Sequence, residues 1–304
     1  MRALWVVIIN VFAITHHMLA AAQEDGLADV IAAHNTFIED VSDDARGQLL
    51  AALSAYDGPP TVQSVNAYLT LMNRDATGDN DQHLRESALA AETHLIPVRS
   101  ILPKHYVEAK YIAAVALFND QQDRNAILEM THVEGFVRAH FDEAGEKPEW
   151  AEDLKWKAEA WRMAMQAYFE STGESHPAPS EIQEILATYP VDEHLLNALE
   201  IESKIESDLP QCRGRMIQRP SLRYPVGKAR RGMFGAVILK LQFDEEGNVV
   251  NPRVLASVPS GVFDERSLST VEKWRFKADE PKAVGATCRI QASNVVQPLV
   301  FQLR

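Results

Sequence analysis

The sequence predicts an α+β protein in which an all-α helical array precedes a small domain made of a three-stranded antiparallel sheet and one covering helix. Three observations indicate this division. Apolar residues recur at helical spacing from about residue 25 to 206, they alternate with polar residues in parts of the last hundred positions, and the charge changes sign between the two parts.

The charge pattern places a domain boundary near residue 207. The 304-residue chain has a formal net charge of -13, but residues 1–207 carry -20 and residues 208–304 carry +7. We therefore expect an acidic domain over 25–206 and a basic domain over 208–304. The negative total argues against nucleic acid as the main partner, and 46% hydrophobic residues with 24% charged residues is typical of a folded protein.

The first 22 residues have the pattern of a secretory signal peptide. Arg2 precedes an apolar stretch over 3–14, and small residues over 20–22 precede Gln23. Cleavage there would place the mature protein in the periplasm. The alternative is an uncleaved inner-membrane anchor, because residues 3–22 are long enough to span a bilayer.

Short helices joined by short turns are predicted for the acidic part. The expected helices are 25–40, 44–55, 61–73, 81–93, 105–119, 123–142, 149–171, 179–188 and 192–206. Glycines and prolines mark the breaks, and Thr61 and Ser180 have the residue type and position of N-caps.

A weak internal repeat occurs within these helices. Two segments share the large, small, apolar and aromatic layout found in the first helix of a tetratricopeptide repeat: Tyr111, Ala114, Val115 and Phe118, and Trp161, Ala164, Met165 and Tyr168. Their separation of 50 residues differs from the 34 of that repeat. Both a degenerate repeat array and an irregular array stay open.

The basic part predicts a β-hairpin, a helix and a third strand. Apolar residues alternate in 233–243, an Asp-Glu-Glu-Gly-Asn turn follows, and a second strand runs over 249–257. Residues 263–274 have apolar positions at helical spacing, and residues 287–302 have strand composition.

This last part resembles the C-terminal domain of the TonB family over about residues 215–304. The resemblance is carried by Pro220, Tyr224-Pro225, Gly235, the Phe243-Asp244-x2-Gly247 turn, Phe263-Asp264, Trp274-Arg275-Phe276 and Phe301. Most of these residues have an expected role in stabilising the fold. Tyr224 and Pro225 suit an extended lead-in, Gly247 suits the turn, and Trp274 and Phe276 suit the core under the helix.

The resemblance implies a binding module, since TonB domains capture the TonB box of an outer-membrane receptor as an added strand. The matching edge here is the last strand, with partner-binding residues Ser293, Asn294, Val295, Val296 and Gln297. Gln218, Arg219 and Pro220 approximate a Gln-Pro pair that faces the receptor in the family. Pro298 interrupts the row of strand donors.

The implied partners are proteins: an outer-membrane receptor or another periplasmic protein, and the inner-membrane motor complex if the N-terminus is retained. An alternative is a periplasmic scaffold with protein-binding helices and no energy transduction, in which the C-terminal domain docks or forms a homodimer. Common catalytic and metal-binding motifs are absent from the sequence, so we expect no enzyme activity, cofactor or metal.

Cys212 and Cys288 are the two cysteines of the chain. In an oxidising compartment they are expected to form a disulfide between the lead-in and the start of the last strand, although a reactive or metal-binding pair is the alternative.

Overall fold

A computed structural model gives the fold of residues 24–143, 148–189, 214–278 and 292–302. The signal-peptide residues, the helix predicted over 192–206, and both cysteines of the predicted disulfide lie outside these ranges. No helix in the described ranges is both long enough and apolar enough to cross a bilayer.

The acidic part forms the predicted helices. These are α1 Glu24–Glu39, α2 Asp43–Ala55, α3 Val62–Asp75, α4 Asp81–Leu95, α5 Pro103–Gln121, α6 Asn125–Glu143, α7 Glu149–Thr172 and α8 Pro179–Ala187, with a 3₁₀ turn at Ile96–Val98. Each begins and ends within a few residues of its prediction, because glycine, proline and capping residues fix helix ends locally.

Two N-caps were predicted, and one is confirmed. The Thr61 hydroxyl accepts the N–H of Ser64 at 3.1 Å, and the Ser64 hydroxyl accepts the N–H of Thr61 at 2.9 Å, which is a reciprocal capping box. The prediction for Ser180 is wrong. Pro179 takes the first helical position instead, and the Glu181 carboxylate accepts the N–H of Ala178 at 2.6 Å.

The helices pack in chain order around two apolar clusters. One is formed by α1 to α5 around Leu49, Leu71 and Leu95, and the other by α5 to α8 around Met130 and Phe169. The stacking of successive helices is compatible with either predicted type of array, so the tetratricopeptide resemblance stays a prediction.

The basic part contains β1 Gly214–Gln218, α9 Val226–Ala229, β2 Gly235–Phe243, β3 Val249–Val258, α10 Asp264–Val271, β4 Arg275–Ala278 and β5 Ala292–Phe301. Strands β2, β3 and β5 form the predicted three-stranded antiparallel sheet, and its strand order is β3-β2-β5. Strands β1 and β4 form a separate two-stranded sheet that was not predicted. Both are short, so an alternating pattern hardly develops in them.

The predicted covering helix α10 packs on one face of the three-stranded sheet. Inward-facing β2 residues such as Val237 and Leu239 meet Val271, Trp274 and Phe301 in one core. The Phe263 and Phe301 rings stack with centroids 4.2 Å apart.

The opposite face of this sheet is covered by α7 from the helical part. Ala160 and Ala164 of α7 are fully buried against Ala236 and Ile238 of β2 and neighbouring β3 residues. Alanine side chains let a helix axis approach a sheet closely. Since the rest of α7 packs against α5 and α6, this helix joins the two parts of the chain.

We expect Ala164→Leu to destabilise the protein by about 1–3 kcal/mol, because a larger side chain does not fit between α7 and the sheet. Thermal unfolding followed by circular dichroism measures the change. Glu170→Leu is the matched control, since Glu170 is exposed on the same helix. Equal melting temperatures for the two variants would contradict a tightly packed interface.

Gly247 provides a second test of the packing. Its φ is 78°, and a side chain there would overlap the carbonyl of Phe276, whose N–H donates to the Gly247 carbonyl at 2.8 Å. We expect Gly247→Ala to lower the free energy of unfolding by about 2–4 kcal/mol, measured by urea denaturation.

Gly261→Ala separates the two causes of that loss. Gly261 has a similar φ of 73° but open space around the position of a Cβ. Gly261→Ala should lower the free energy of unfolding by only about 1 kcal/mol, the penalty for an alanine in the left-handed conformation. If both variants lost the same stability, the contact with Phe276 would be irrelevant.

Candidate strand-addition site

The three-stranded sheet has two outer edges, and the β3 edge is interrupted. Pro252 lies within β3, Asn251 has a positive φ of 48°, and the pairing of β3 with β2 shifts register twice. Proline and bulges are the usual means by which edge strands avoid pairing with other chains.

The β5 edge is more regular. Gly235 to Leu241 of β2 pair residue by residue with Phe301 to Val295 of β5, without a shift. Pro298 has no N–H, so its pair with Ile238 cannot be one in which both residues exchange hydrogen bonds. Alternation then directs the backbone groups of Val295 and Gln297 toward β2, and those of Val296 and Val300 toward the open edge.

Pro298 interrupts the hydrogen-bonding groups in the middle of the β5 edge. It offers no donor, and its carbonyl accepts a hydrogen bond from Nε2 of Gln297 at 2.8 Å. Residue 298 therefore offers an incoming strand no donor, and its carbonyl already accepts one hydrogen bond. The longest stretch of β5 with backbone groups free to pair with an incoming strand is the half that precedes Pro298.

The predicted partner-binding residues fall into two places. Val296 lies on the β5 edge with 37% of its surface exposed, whereas Val295 packs toward the α10 core. Ser293 and Asn294 belong to β5 by their backbone. Of this set, the backbone of Val296 is the clearest contact point for an added strand.

Gln218, Arg219 and Pro220 lie elsewhere. Gln218 ends β1 and pairs with Arg275 of β4, and the Arg219 guanidinium lies over the Trp274 ring, 4.6 Å from its centroid. In the described part of the chain, β1 pairs with β4 and β5 pairs with β2. Gln218 is thus on a different sheet from the β5 residues of the predicted site, and Arg219 and Pro220 follow it outside either sheet.

The predicted framework residues surround the α10 core. The Tyr224 ring contacts Phe263 and Phe301 edge-on, with centroids 5.8 Å away in each case. Burial raises the pKa of the Tyr224 phenol, so the side chain is neutral at physiological pH. Trp274 is buried and Phe276 partly buried in the same core.

The hairpin turn before β3 is held by Asp244. Its carboxylate accepts the N–H of Asn248 at 2.8 Å, the N–H of Glu246 at 3.0 Å and Nδ2 of Asn248 at 2.9 Å. These hydrogen bonds, first of all that from the Asn248 side chain, lower the pKa of Asp244. The turn thereby fixes the register of β2 and β3.

Two partly buried polar side chains of the helical part, Lys110 and His132, have partners that stabilise the packing of the helices. Lys110 Nζ donates to Glu92 at 2.9 Å and to Glu129 at 2.5 Å. Burial alone would lower the pKa of Lys110, but these carboxylates raise it overall, so the amine stays charged. His132 lies 3.0 Å from the Tyr189 hydroxyl, and the described residues contain no cluster with the composition of a metal site.

Two features near β5 were not found from the sequence. Val300 is a second exposed edge residue, at 40%, and α7 lies over the same face of the sheet. One signal was available, because Ala236 to Leu239 form a continuous apolar run, which is typical of a strand buried on both faces. Nothing in the sequence indicated which element covers the second face.

Comparison with known proteins identifies similarity in the basic part. Residues 220–295 match the family model for the Gram-negative bacterial TonB protein C-terminal region. The chain is 29% identical over 80 residues to Protein TonB of Yersinia enterocolitica, covering 26% of this chain. It also matches the solution NMR structure of the Pseudomonas aeruginosa TonB C-terminal domain, with 25% identity, 32% of this chain and 97% of that chain covered, and a TM-score of 0.26.

The aligned segment spans about a quarter of the curated TonB relative, 27% of its length. The family match confirms the resemblance inferred from the sequence. It covers the hairpin, α10, and the beginning of β5.

Proposed function

We propose that this protein binds an extended segment of a partner protein as an additional strand on β5. The observation that carries the proposal is the half-edge before Pro298, which pairs with no other strand among the described residues and lies largely within the region that matches the TonB C-terminal family model. An added strand would gain main-chain hydrogen bonds from groups that β2 leaves unused. No catalytic chemistry is needed for this role.

The family match supports a role in TonB-type energy-coupled transport across a Gram-negative envelope. We propose a periplasmic location and, as partner, an outer-membrane receptor that offers a TonB box. Energy coupling would additionally require contact with the inner-membrane motor, which needs a retained N-terminal anchor.

The edge can be tested with a proline substitution at its open position. Val296→Pro removes an outward N–H and costs no hydrogen bond to β2, so the sheet should persist while binding of a receptor-box peptide falls at least about tenfold. Isothermal titration calorimetry measures the affinity.

Val296→Thr is the matched control, because threonine keeps the N–H and the β-branched shape. It should bind within about threefold of the unchanged protein, since an edge side chain contributes less than the main-chain pairing. Unchanged binding by Val296→Pro, with native circular dichroism, would rule out strand addition at this position.

A periplasmic scaffold is the second candidate, and the α7 interface favours it. The burial of Ala160 and Ala164 against the sheet fixes the helical part relative to the β5 edge. A partner held by the helices would therefore be presented at a constant position beside a partner held on β5. This role needs no membrane anchor.

The N-terminus distinguishes the two candidates. We expect the mature protein to begin at Gln23, since Ala20 and Ala22 occupy the small-residue positions preferred by signal peptidase. Mass spectrometry of the protein isolated from the periplasm checks this. Ala22→Leu should block cleavage, whereas Ala21→Leu should not. Retention of Met1 in the unchanged protein would instead favour motor coupling.

A further inference from the structure

We infer that α7 forms part of the peptide-binding site and selects apolar side chains at alternate positions of the added strand. This inference rests on the proposed strand addition at β5 and extends it to the specificity of that site. The structural basis is the exposure of Val296 and Val300 on the sheet face that α7 covers, together with the partly buried Trp156 and Met163 of α7. We call the space between these valines and this flank of α7 the groove.

The direction of the edge side chains comes from the sheet register. Ala236 and Ile238, which face α7, pair with Val300 and Pro298 of β5, and Lys240 pairs with Val296. Directly paired residues share a face of the sheet. The side chains of Val296 and Val300 are therefore on the α7 side, where 37% and 40% of their surfaces are exposed.

A cavity between α7 and β3 shows which flank of α7 lies toward β3 and which toward β5. Lys157 and Trp161 line a cavity of about 530 Å³ together with Val254 to Ser260, so this flank lies over β3. With 3.6 residues per turn, Trp156 and Met163 are on the other flank of the buried Ala160 row. Both are partly buried against the cluster that includes Ala236 and Ile238, so this flank lies toward β5.

The chain directions agree with this assignment. β5 and β3 both pair antiparallel with β2, so they run in the same direction. Near the C-terminal end of α7, the Tyr168 ring lies 5.0 Å from the ring of Phe234, which directly precedes β2, so α7 runs antiparallel to β2. α7 therefore runs along β5 in the same sense. Trp156 lies toward the Val296 end of β5, and Met163 toward the Val300 end.

Val296 and Val300 of β5 expose apolar surface that α7 does not cover. α7 contacts β5 less extensively than β2 or β3, which leaves the two valines half-covered. In the described part of the chain, the buried indole N–H of Trp156 has no acceptor, a cost that a phenylalanine at this position would avoid. Methionine adapts its shape to different ligands.

A strand added to β5 would complete this groove. A peptide that pairs with the half-edge before Pro298 and continues past it would reach Val300 as well. Its residues opposite Val296, Pro298 and Val300 would direct their side chains to the face covered by α7, and those opposite Gln297 and Leu299 would face the α10 side. Apolar peptide side chains on the α7 face would be shielded from water by the valines of β5 and by the flank of α7. The groove thus favours an extended segment with apolar residues at alternate positions.

Two synthetic peptides of equal length test this specificity: one in which Thr and Val alternate, (Thr-Val)₄, and one of eight threonines. Valine and threonine are similar in shape and both favour strands, so the pair differs mainly in apolar surface. Fluorescence anisotropy of labelled peptides with the full chain gives the ratio of the two affinities. We expect the Val peptide to bind about tenfold more tightly.

Met163→Ser should reduce this ratio to about two or less, because the wall of the groove becomes polar, with little change in binding of the Thr peptide. Trp156→Phe, which keeps an aromatic wall, should preserve the preference. Lys157→Ser on the β3 flank is the control and should leave the ratio unchanged. Retained binding of the Thr peptide by each variant shows that the sheet edge is still folded.

The possible outcomes distinguish side-chain selection by α7 from strand addition itself. A preference for the Val peptide that is lost in Met163→Ser and kept in Lys157→Ser supports the inference. An unchanged preference in Met163→Ser overturns it and leaves strand addition intact. Failure of both peptides to bind the unchanged protein would overturn strand addition at this edge and, with it, the inference.

Discussion

The burial of β2 on both faces is the constraint on which the rest of the structure depends. One face meets the aromatic and aliphatic core under α10, and the other meets the alanine row of α7. A strand in this position must be central in its sheet and apolar along most of its length. It therefore leaves β3 and β5 as outer strands, and any strand that joins the sheet must do so at one of them.

The two outer strands differ because of where their irregularities lie. In β3, proline, a positive φ and register shifts are distributed along the strand. In β5, the regular register continues to Phe301, and the interruption is confined to Pro298 and its carbonyl. Pro298 thus limits the edge to a short segment and reduces uncontrolled pairing with other chains. This asymmetry makes one end of β5 the best location for a partner.

The contact between α7 and the sheet changes what such an edge can recognise. Main-chain hydrogen bonds alone distinguish little between sequences, and side-chain contacts provide the discrimination. A bare sheet face offers few of them to an added strand. In the site that we infer, the α7 flank with Trp156 and Met163 is on the same face as the exposed valines of β5, so the helical part would contribute to recognition as well as to stability.

The sequence by itself determined helices α1 to α8, the hairpin, α10 and the last strand, and most of their ends. Helix ends depend on caps such as Thr61 and on proline and glycine, and the hairpin depends on the Asp244 to Asn248 turn, so both are fixed by residues a few positions apart. The TonB resemblance likewise followed from the order of local motifs. Tertiary structure alone decided that Gln218 pairs with β4 and that Arg219 lies over Trp274, and not beside β5. It also decided that α7 covers the second face of β2. These arrangements depend on complementary surfaces from residues far apart in the chain, for which periodicity and spacing provide no signal.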